Sequence, residues 1–402
     1  MDRPELSAWL RLLMTPGVGP LSARKLLAAF GSPQAVFDAS PASRRAVLSR
    51  DIAALFASPE GLAEQLDLSW DWWQGEALAE RTILTLADPR YPAALLEAAD
   101  PPLVLFAEGD LRLLRTPAVA IVGSRHATAQ GEENARAFAE VLSLAGVTVV
   151  SGLARGIDAA AHEGALAALS EGAQSGGSMT ASSTTVGSTT AGSTIAVLGT
   201  GLLQVYPKAH TMLARRIGQH GLLLSEFLLD TPALRANFPK RNRIVAALSR
   251  GTLVVEAAVQ SGSLITARLA AEMGREVLAI PGSIHAPQAR GCHALIKQGA
   301  KLVETAQDVM EELRLDVACA RHPAEASVLF AQATEAASAS TSDSDHADPV
   351  LAALGFDPVS QEALSARTGM GPAELGVRLL ELELLGEVAR LPGQLFQRVG
   401  RA

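Results

Sequence analysis

The sequence predicts an α/β protein: a doubly wound parallel sheet, with short helices ahead of it and a small helix-and-strand unit behind. Three observations carry that expectation. From about Thr116, short apolar runs alternate with helical stretches. The runs are continuous in Val, Ile and Leu, so their strands should be buried on both faces. At 402 residues the chain is too long for one ordinary core and should divide into two to four domains.

Residues 1–75 read as a helical domain. Within it, "TPGVGPLSARKLLAAFGS" has the shape of a helix-hairpin-helix (or SAM-like) unit: a Gly17-Val18-Gly19 turn, then Leu21, Leu26, Leu27 and Phe30 at helical spacing. The amides of such a turn can meet a phosphate. No second hairpin follows, which favours a packing role. A proline-broken connection, "LADPRYPAALLEAADPPLVLFAEGD", leads on into the main domain, placed over residues 76–318. Its candidate strands are "AVAIVGS", "VTVVSGL", "TIAVLGTG", "LLLSEF", "TLVVEA" and "EVLAIPG", with "AQGEENARAFAEVLSLAG" and "SGSLITARLAAEMG" among the intervening helices. One stretch breaks the alternation. Residues 170–193 are nearly all Ser, Thr, Gly and Ala, too poor in apolar surface to fold, and are expected to form a mobile surface loop. Residues 319–348 read as a linker.

The last region, residues 349–402, has a winged-helix rhythm. "GPAELGVRLLELELLG" falls at the recognition position and "EVARLPGQLFQRV" as the wing. That helix sets Glu374, Glu381 and Glu383 against a single Arg378, a poor charge set for a DNA groove, so a protein contact is favoured.

Composition narrows the function classes. The net charge is −8, yet residues 225–301 carry ten Lys/Arg against five Asp/Glu, a net of +5. Residues 302–402 carry seven against sixteen, a net of −9. Local charge is therefore the informative quantity. No apolar run approaches the ~20 residues of a membrane helix, the N-terminus does not resemble a signal peptide, and two cysteines make no disulfide framework. A cytoplasmic protein without membrane contact is expected.

In an open α/β sheet, ligands meet the loops at the carboxyl ends of the strands. After the first of the six candidate strands comes Gly123-Ser124-Arg125, with a hydroxyl and a guanidinium suited to phosphate. It is not a GxGxxG dinucleotide fingerprint, and no acidic ribose ligand follows the second strand. "SGLARGIDAAAH" supplies Gly152 and Arg155, while its Asp158 and His162 read as capping and packing rather than a metal site. Lys208 follows in "YPK", and Ser263 and Thr266 open a helix after the fifth strand. Between Ala236 and Ser249, Phe238, Lys240, Arg241, Asn242 and Arg243 crowd one helix start. Cations there oppose the helix dipole, and a bound anion would relieve the conflict. Backbone donors, cations and an exposed ring along one groove suit a single-stranded nucleic acid, with phosphates on the charge and bases stacked. On local pattern Phe238 could equally be a staple on its own helix.

Taken in order, "VAIVGSR", "SGLARGIDAAAH", "TIAVLGTGLLQVYP", "GLLLSEF", "FPKRNRIVAALS", "VVEAAVQSGSLITARLA", "EVLAIPGS" and "GCHALIKQGAKLV" resemble the DprA/Smf family of DNA-processing proteins across about Thr116 to Val303. The resemblance implies an extended Rossmann-like domain that binds single-stranded DNA, dimerises, and helps to load the recombinase RecA in natural transformation. With no paired carboxylates for N-glycosidic cleavage in the sequence, no enzymatic activity and no cofactor are expected. Carried over by motif, the resemblance assigns DNA contacts to Ser124, Arg125, Lys208, Phe238, Lys240, Arg241, Asn242, Ser263 and Thr266. The insert at 170–193, Gln204 and His293 depart from the family pattern. Two other readings stand beside this one. A related nucleotide phosphoribohydrolase would need a Gly-Gly-x-Gly-Thr run before a catalytic acid, and "VEAAVQSGSLITA" leaves Glu256 without one. A transcription regulator led by the winged-helix-like end would need a less acidic recognition helix.

Overall fold

A computed structural model describes residues 1–48, 57–174, 193–284, 286–315, 348–354 and 358–399. Five helices open the chain: α1 (Arg3–Met14), α2 (Pro20–Phe30), α3 (Pro33–Asp38), α4 (Pro41–Leu48) and α5 (Leu62–Gln74). Their starts follow local chemistry. Asp2 and Ser32 accept from the N–H groups of Glu5 and Ala35, and α2, α3 and α4 each begin on a proline, whose missing N–H costs nothing there. Their apolar faces converge in one cluster through Leu6, Trp9, Leu10, Leu26, Val36 and Trp72, which continues onto Ile83 and Phe106 of the sheet.

The sheet has nine strands. They are β1 (Arg81–Thr85), β2 (Val104–Gly109), β3 (Ala118–Val122), β4 (Thr148–Ser151), β5 (Thr194–Val197), β6 (Leu222–Ser225), β7 (Gly251–Val254), β8 (Glu276–Ala279) and β9 (Lys301–Leu302), in the order β1-β2-β6-β5-β4-β3-β7-β8-β9. All six expected strands are present, and every pairing from β6 to β9 is parallel. The expected parallel sheet is extended at one edge by two strands absent from the sequence reading, where β1 pairs β2 and β2 pairs β6 antiparallel. The β1–β2 connection holds only the four-residue helix α6 (Ala93–Leu96), so it lacks the crossover helix that usually brings a chain back parallel. Pro101 and Pro102, which disguised this stretch as a connection, stand just outside β2.

Helices cover both faces: α7 (Ala129–Leu144), α8 (Ile157–Gln174), α9 (Thr211–His220), α10 (Asn237–Leu248), α11 (Ser263–Glu272), α12 (Arg290–Lys297) and α13 (Ala306–Glu312). Strand β3 shows why the runs are continuously apolar. Val119 and Ile121 pack with Phe138, Ala139 and Leu142 of α7, while Ala118, Ala120 and Val122 pack with Ile244, Val245 and Ala247 of α10. Helix α8 continues to Gln174, so the expected surface loop loses its first five residues to the helix. The rest of that expectation (175–192), and nearly all of the linker expectation (319–347), lie outside the described residues. No helix among the described residues is long and apolar enough to cross a membrane.

The last region has its own core. Helices α14 (Pro349–Leu354), α15 (Gln361–Thr368) and α16 (Pro372–Leu384) pack with a sheet of β10 (Val359–Ser360), β11 (Val388–Leu391) and β12 (Leu395–Arg398), ordered β10-β12-β11. Val350, Leu354, Leu364, Leu375, Leu379, Leu382 and Phe396 close that core. This is the winged-helix arrangement, with a two-residue third strand that was too short to read from the sequence.

Candidate nucleic-acid interface

Strand β3 lies between β4 and β7, so the winding reverses there and opens a crevice at the carboxyl ends of the strands. The loops after β3, β4, β5 and β7 and the start of α10 gather at this edge, joined by hydrogen bonds between them. Ile157 N–H donates to the Ser124 carbonyl (3.2 Å), and Asn242 Nδ2 donates to the Gly262 carbonyl (3.4 Å). His210 Nδ1 lies 3.0 Å from the Leu153 carbonyl, within hydrogen-bonding distance.

At the surface stands an aromatic pair with a cation. The Arg125 guanidinium carbon is 5.6 Å from the centre of the Phe238 ring, and the Tyr206 ring is 5.7 Å from it, tilted by 49°. A Cβ on Gly199 would lie 2.8 Å from Phe238 Cδ1, so glycine there lets the ring settle against the backbone. These contacts all lie outside Phe238's own helix, and the ring remains partly open. Tyr206 is 51% exposed and was missed as a site residue. The signal is in "YPK", where an aromatic ring stands two positions before Lys208. Arg125, Arg155, Lys208 and Lys240 are exposed and make no ion pair among the described residues. Ser124 and Asn242 are half-buried beside them, and the Ser124 hydroxyl accepts from His126 N–H (3.1 Å).

The structure puts other expected contacts beneath the surface. Arg241 is only 5% exposed, and its Nη2 donates to the Gly152 carbonyl (2.9 Å). Asp158 closes the same turn by accepting from Gly152 N–H (3.2 Å) and Ala154 N–H (3.3 Å). Burial pushes the Asp158 carboxyl up and the Arg241 guanidinium down, and the attraction between the two charges opposes both shifts. Glycine at 152 leaves room for this packing: a Cβ would fall 1.5 Å from Arg241 Nη1, and the guanidinium would have to move. Arg243 is also turned inward. It pairs with Glu226 and Asp100 and donates to the Asp100 carbonyl (2.7 Å). Neither Arg241 nor Arg243 therefore presents a free guanidinium to a ligand, contrary to the expectation from the sequence. For Arg241 the reason is helical period, since residues 241, 244, 245 and 248 share an inner face of α10; Arg243 is drawn in by Glu226 and Asp100. Ser263 and Thr266 are buried too, with the Ser263 hydroxyl 2.7 Å from that of Ser261.

Glu256, which the sequence left without a role, sits at the start of α7. Thr128 caps that helix by accepting from Gly131 N–H (3.0 Å). Its own N–H and hydroxyl donate to Glu256 Oε2 (3.0 Å) and Oε1 (2.5 Å). Burial pushes the Glu256 carboxyl up, and the Thr128 hydrogen bonds pull it back. The carboxylate thus occupies the helix start at which dinucleotide-binding sheets hold a phosphate. The start of α10 is finished differently. Its N-cap, Ala236, provides no side-chain hydrogen bond, and the buried Asn237 Nδ2 has no hydrogen-bond partner.

His162 packs as expected. Its Nε2 accepts from Leu153 N–H (3.3 Å) and its Nδ1 is 2.6 Å from the Thr194 hydroxyl, with burial taking its pKa down to about 3. The neutral ring helps to hold Leu153 at φ 57°, in the left-handed region that apolar side chains rarely enter.

Residues 82–314 match the family model for DNA recombination-mediator protein A. Residues 3–59 match a DprA-like N-terminal HHH domain, and residues 333–394 a DprA winged helix domain. Protein Smf of Escherichia coli is 42% identical over 316 residues, covering 78% of this chain and 76% of the relative. DNA processing protein DprA of Streptococcus pneumoniae is 45% identical over 228 residues, covering 57% and 73%. The X-ray structure of the S. pneumoniae protein superposes with a TM-score of 0.61 at 35% identity, over 78% of this chain and 98% of that one. With the family model spanning more than half of the sequence and the relatives matched along most of their length, the chain belongs to the DprA/Smf family of DNA-processing proteins.

Proposed function

We propose that this chain binds single-stranded DNA along the crevice edge, performs no chemistry on it, and passes the strand to the recombinase RecA in recombination and natural transformation. The observation that carries this reading is the pairing of an open Phe238–Tyr206–Arg125 surface with an α7 start already filled by Glu256. A strand needs cations along a backbone track and rings on which bases can stack. A nucleotide-processing site would need the α7 start free for phosphate and a carboxylate free for catalysis, and Glu256 is used as a cap instead.

The contact set proposed for the strand is Ser124, Arg125, Arg155, Lys208, Phe238, Lys240 and Asn242, with Tyr206 added. Gly152, Arg241, Arg243, Ser263 and Thr266 act from below by holding the loops. Delivery to RecA is supported by the family's description as a recombination mediator. Homodimerisation through the Rossmann-like domain, a cytoplasmic setting, and domain boundaries near residues 75, 318 and 348 belong to the same proposal.

A mobility-shift series with single-stranded and duplex DNA across salt concentrations tests it. Single strands of any sequence should bind more tightly, with affinity falling as salt rises. Equal affinity for both forms at moderate salt would overturn the reading. Release of free base from nucleoside monophosphates, above a heat-killed control, would restore the enzymatic alternative.

A further inference from the structure

The winged-helix unit turns an apolar seam outward. Helix α16 buries Leu375, Leu379 and Leu382, all at most 1% exposed, against its own core. On the opposite side Val377, Leu380 and Leu384 are 61%, 56% and 81% exposed. Their spacing of three and then four residues is that of the a and d positions of a heptad. In that register Glu374 and Glu381 fall at e and Glu383 falls at g, the positions that choose a partner in helix pairing. Met370, Glu374, Val377, Arg378 and Glu381 line a shallow groove along this side. Arg378 is engaged by Asp348 and by Glu381 (2.6 Å), so it partly neutralises Glu381. Glu374 and Glu383 make no ion pair among the described residues.

We infer that this face of α16 docks a helix of a protein partner that carries apolar residues at heptad spacing with Lys or Arg beside them. The seam supplies apolar area that water covers poorly. The flanking carboxylates decide between occupants. A DNA phosphate track would meet Glu374 and Glu383 and be repelled. A second copy of the same helix would set glutamates against glutamates, since no cation occupies an e or g position on this chain. A basic amphipathic helix satisfies both the seam and its flanks.

The test uses the full chain and two labelled synthetic peptides of about three heptads, identical at their Leu/Ile a and d positions. One carries Lys at e and g, the other Glu. Fluorescence anisotropy should show the Lys peptide binding at least about tenfold more tightly, with the advantage shrinking as salt rises. Because other acidic surfaces could attract a Lys peptide, the deciding variant keeps charge constant. Val377→Ser with Leu384→Ser should abolish binding, while Glu374→Gln with Glu383→Gln should weaken it and reduce its salt dependence. Leu384→Ser alone, at the most exposed position, covers the case in which the double variant melts early. Equal binding of the two peptides, or Lys-peptide binding untouched by these serine changes, would overturn the proposal. So would self-association of the chain lost in Leu384→Ser, which assigns the seam to a second copy. A loss of DNA affinity in that variant would assign it to nucleic acid.

Discussion

At the start of α7, Thr128 caps the helix and a half-buried carboxylate from 128 residues away fills the space in front of it. At the start of α10, on the same edge of the same sheet, no side chain caps the helix, and Lys240 stands exposed in the first turn. Both sites have the geometry that α/β sheets use to hold anions. One is closed by the protein's own negative charge, whereas the other is left with positive charge and an aromatic ring. The contrast teaches that the sheet provides positions and the side chains decide which of them remain open. With the α7 position taken, what remains is an elongated surface suited to a strand rather than a compact pocket suited to a nucleotide.

The comparison can be broken most forcefully at Arg241, which belongs to α10 in sequence but to the fold in function. Arg241→Met should cost about 1.5–3 kcal/mol of stability in urea unfolding, because it removes a buried charged hydrogen bond to the Gly152 carbonyl and the positive charge that steadies Asp158. The protein that stays folded should keep the wild-type salt slope for DNA. An unchanged unfolding midpoint would return Arg241 to the ligand side. Next is Phe238→Ala, which should cost about 1–3 kcal/mol of strand binding with the salt slope unaltered. A variant that melts early yet binds fully would make the ring a packing element.

A smaller effect is expected at the closed helix start. Glu256→Ala should lower stability by about 0.5–2 kcal/mol through loss of the Thr128 bonds. Inorganic phosphate should then raise the melting temperature of the variant and leave the wild type unmoved. Identical responses in the two proteins would mean that Glu256 does not guard an anion site. Smallest of all is Lys240→Ala, for which the slope of log affinity against log salt should fall by roughly 0.7, one phosphate contact. A slope that stays put would remove Lys240 from the track.

Most of the sheet was legible because strands buried on both faces must be written in unbroken Val, Ile and Leu. Strands β1 and β2 were not, although β2 is as apolar as the others. Pro89, Pro92, Pro101 and Pro102 make the stretch between them read as a connection, and the antiparallel pairing of the two strands leaves no trace in either run. Within the site, the burial of Arg241 was readable in principle. It shares a helical stripe with Ile244, Val245 and Leu248, a period that the dense charge of "FPKRNR" masks. The inward turn of Arg243 depends on Glu226 and Asp100, which approach from other elements. The role of Glu256 likewise arises only when the chain reverses its winding and brings β7 beside β3. Contacts made across the switch point have no local trace.

The bare start of α10 has a thermodynamic consequence. Without a side-chain cap, the start of α10 is held by Asn237 N–H donating to the Leu234 carbonyl (3.0 Å), so a ligand bound there can add order to this segment. Occupancy of the groove and rigidity of residues 237–240 then become one equilibrium. Amide exchange in that turn should slow when a strand is bound, while the closed turn at Thr128–Gly131 should not change. The same coupling makes melting a measure of saturation: at about a hundred times Kd, a ligand confined to the folded state adds about 2.7 kcal/mol.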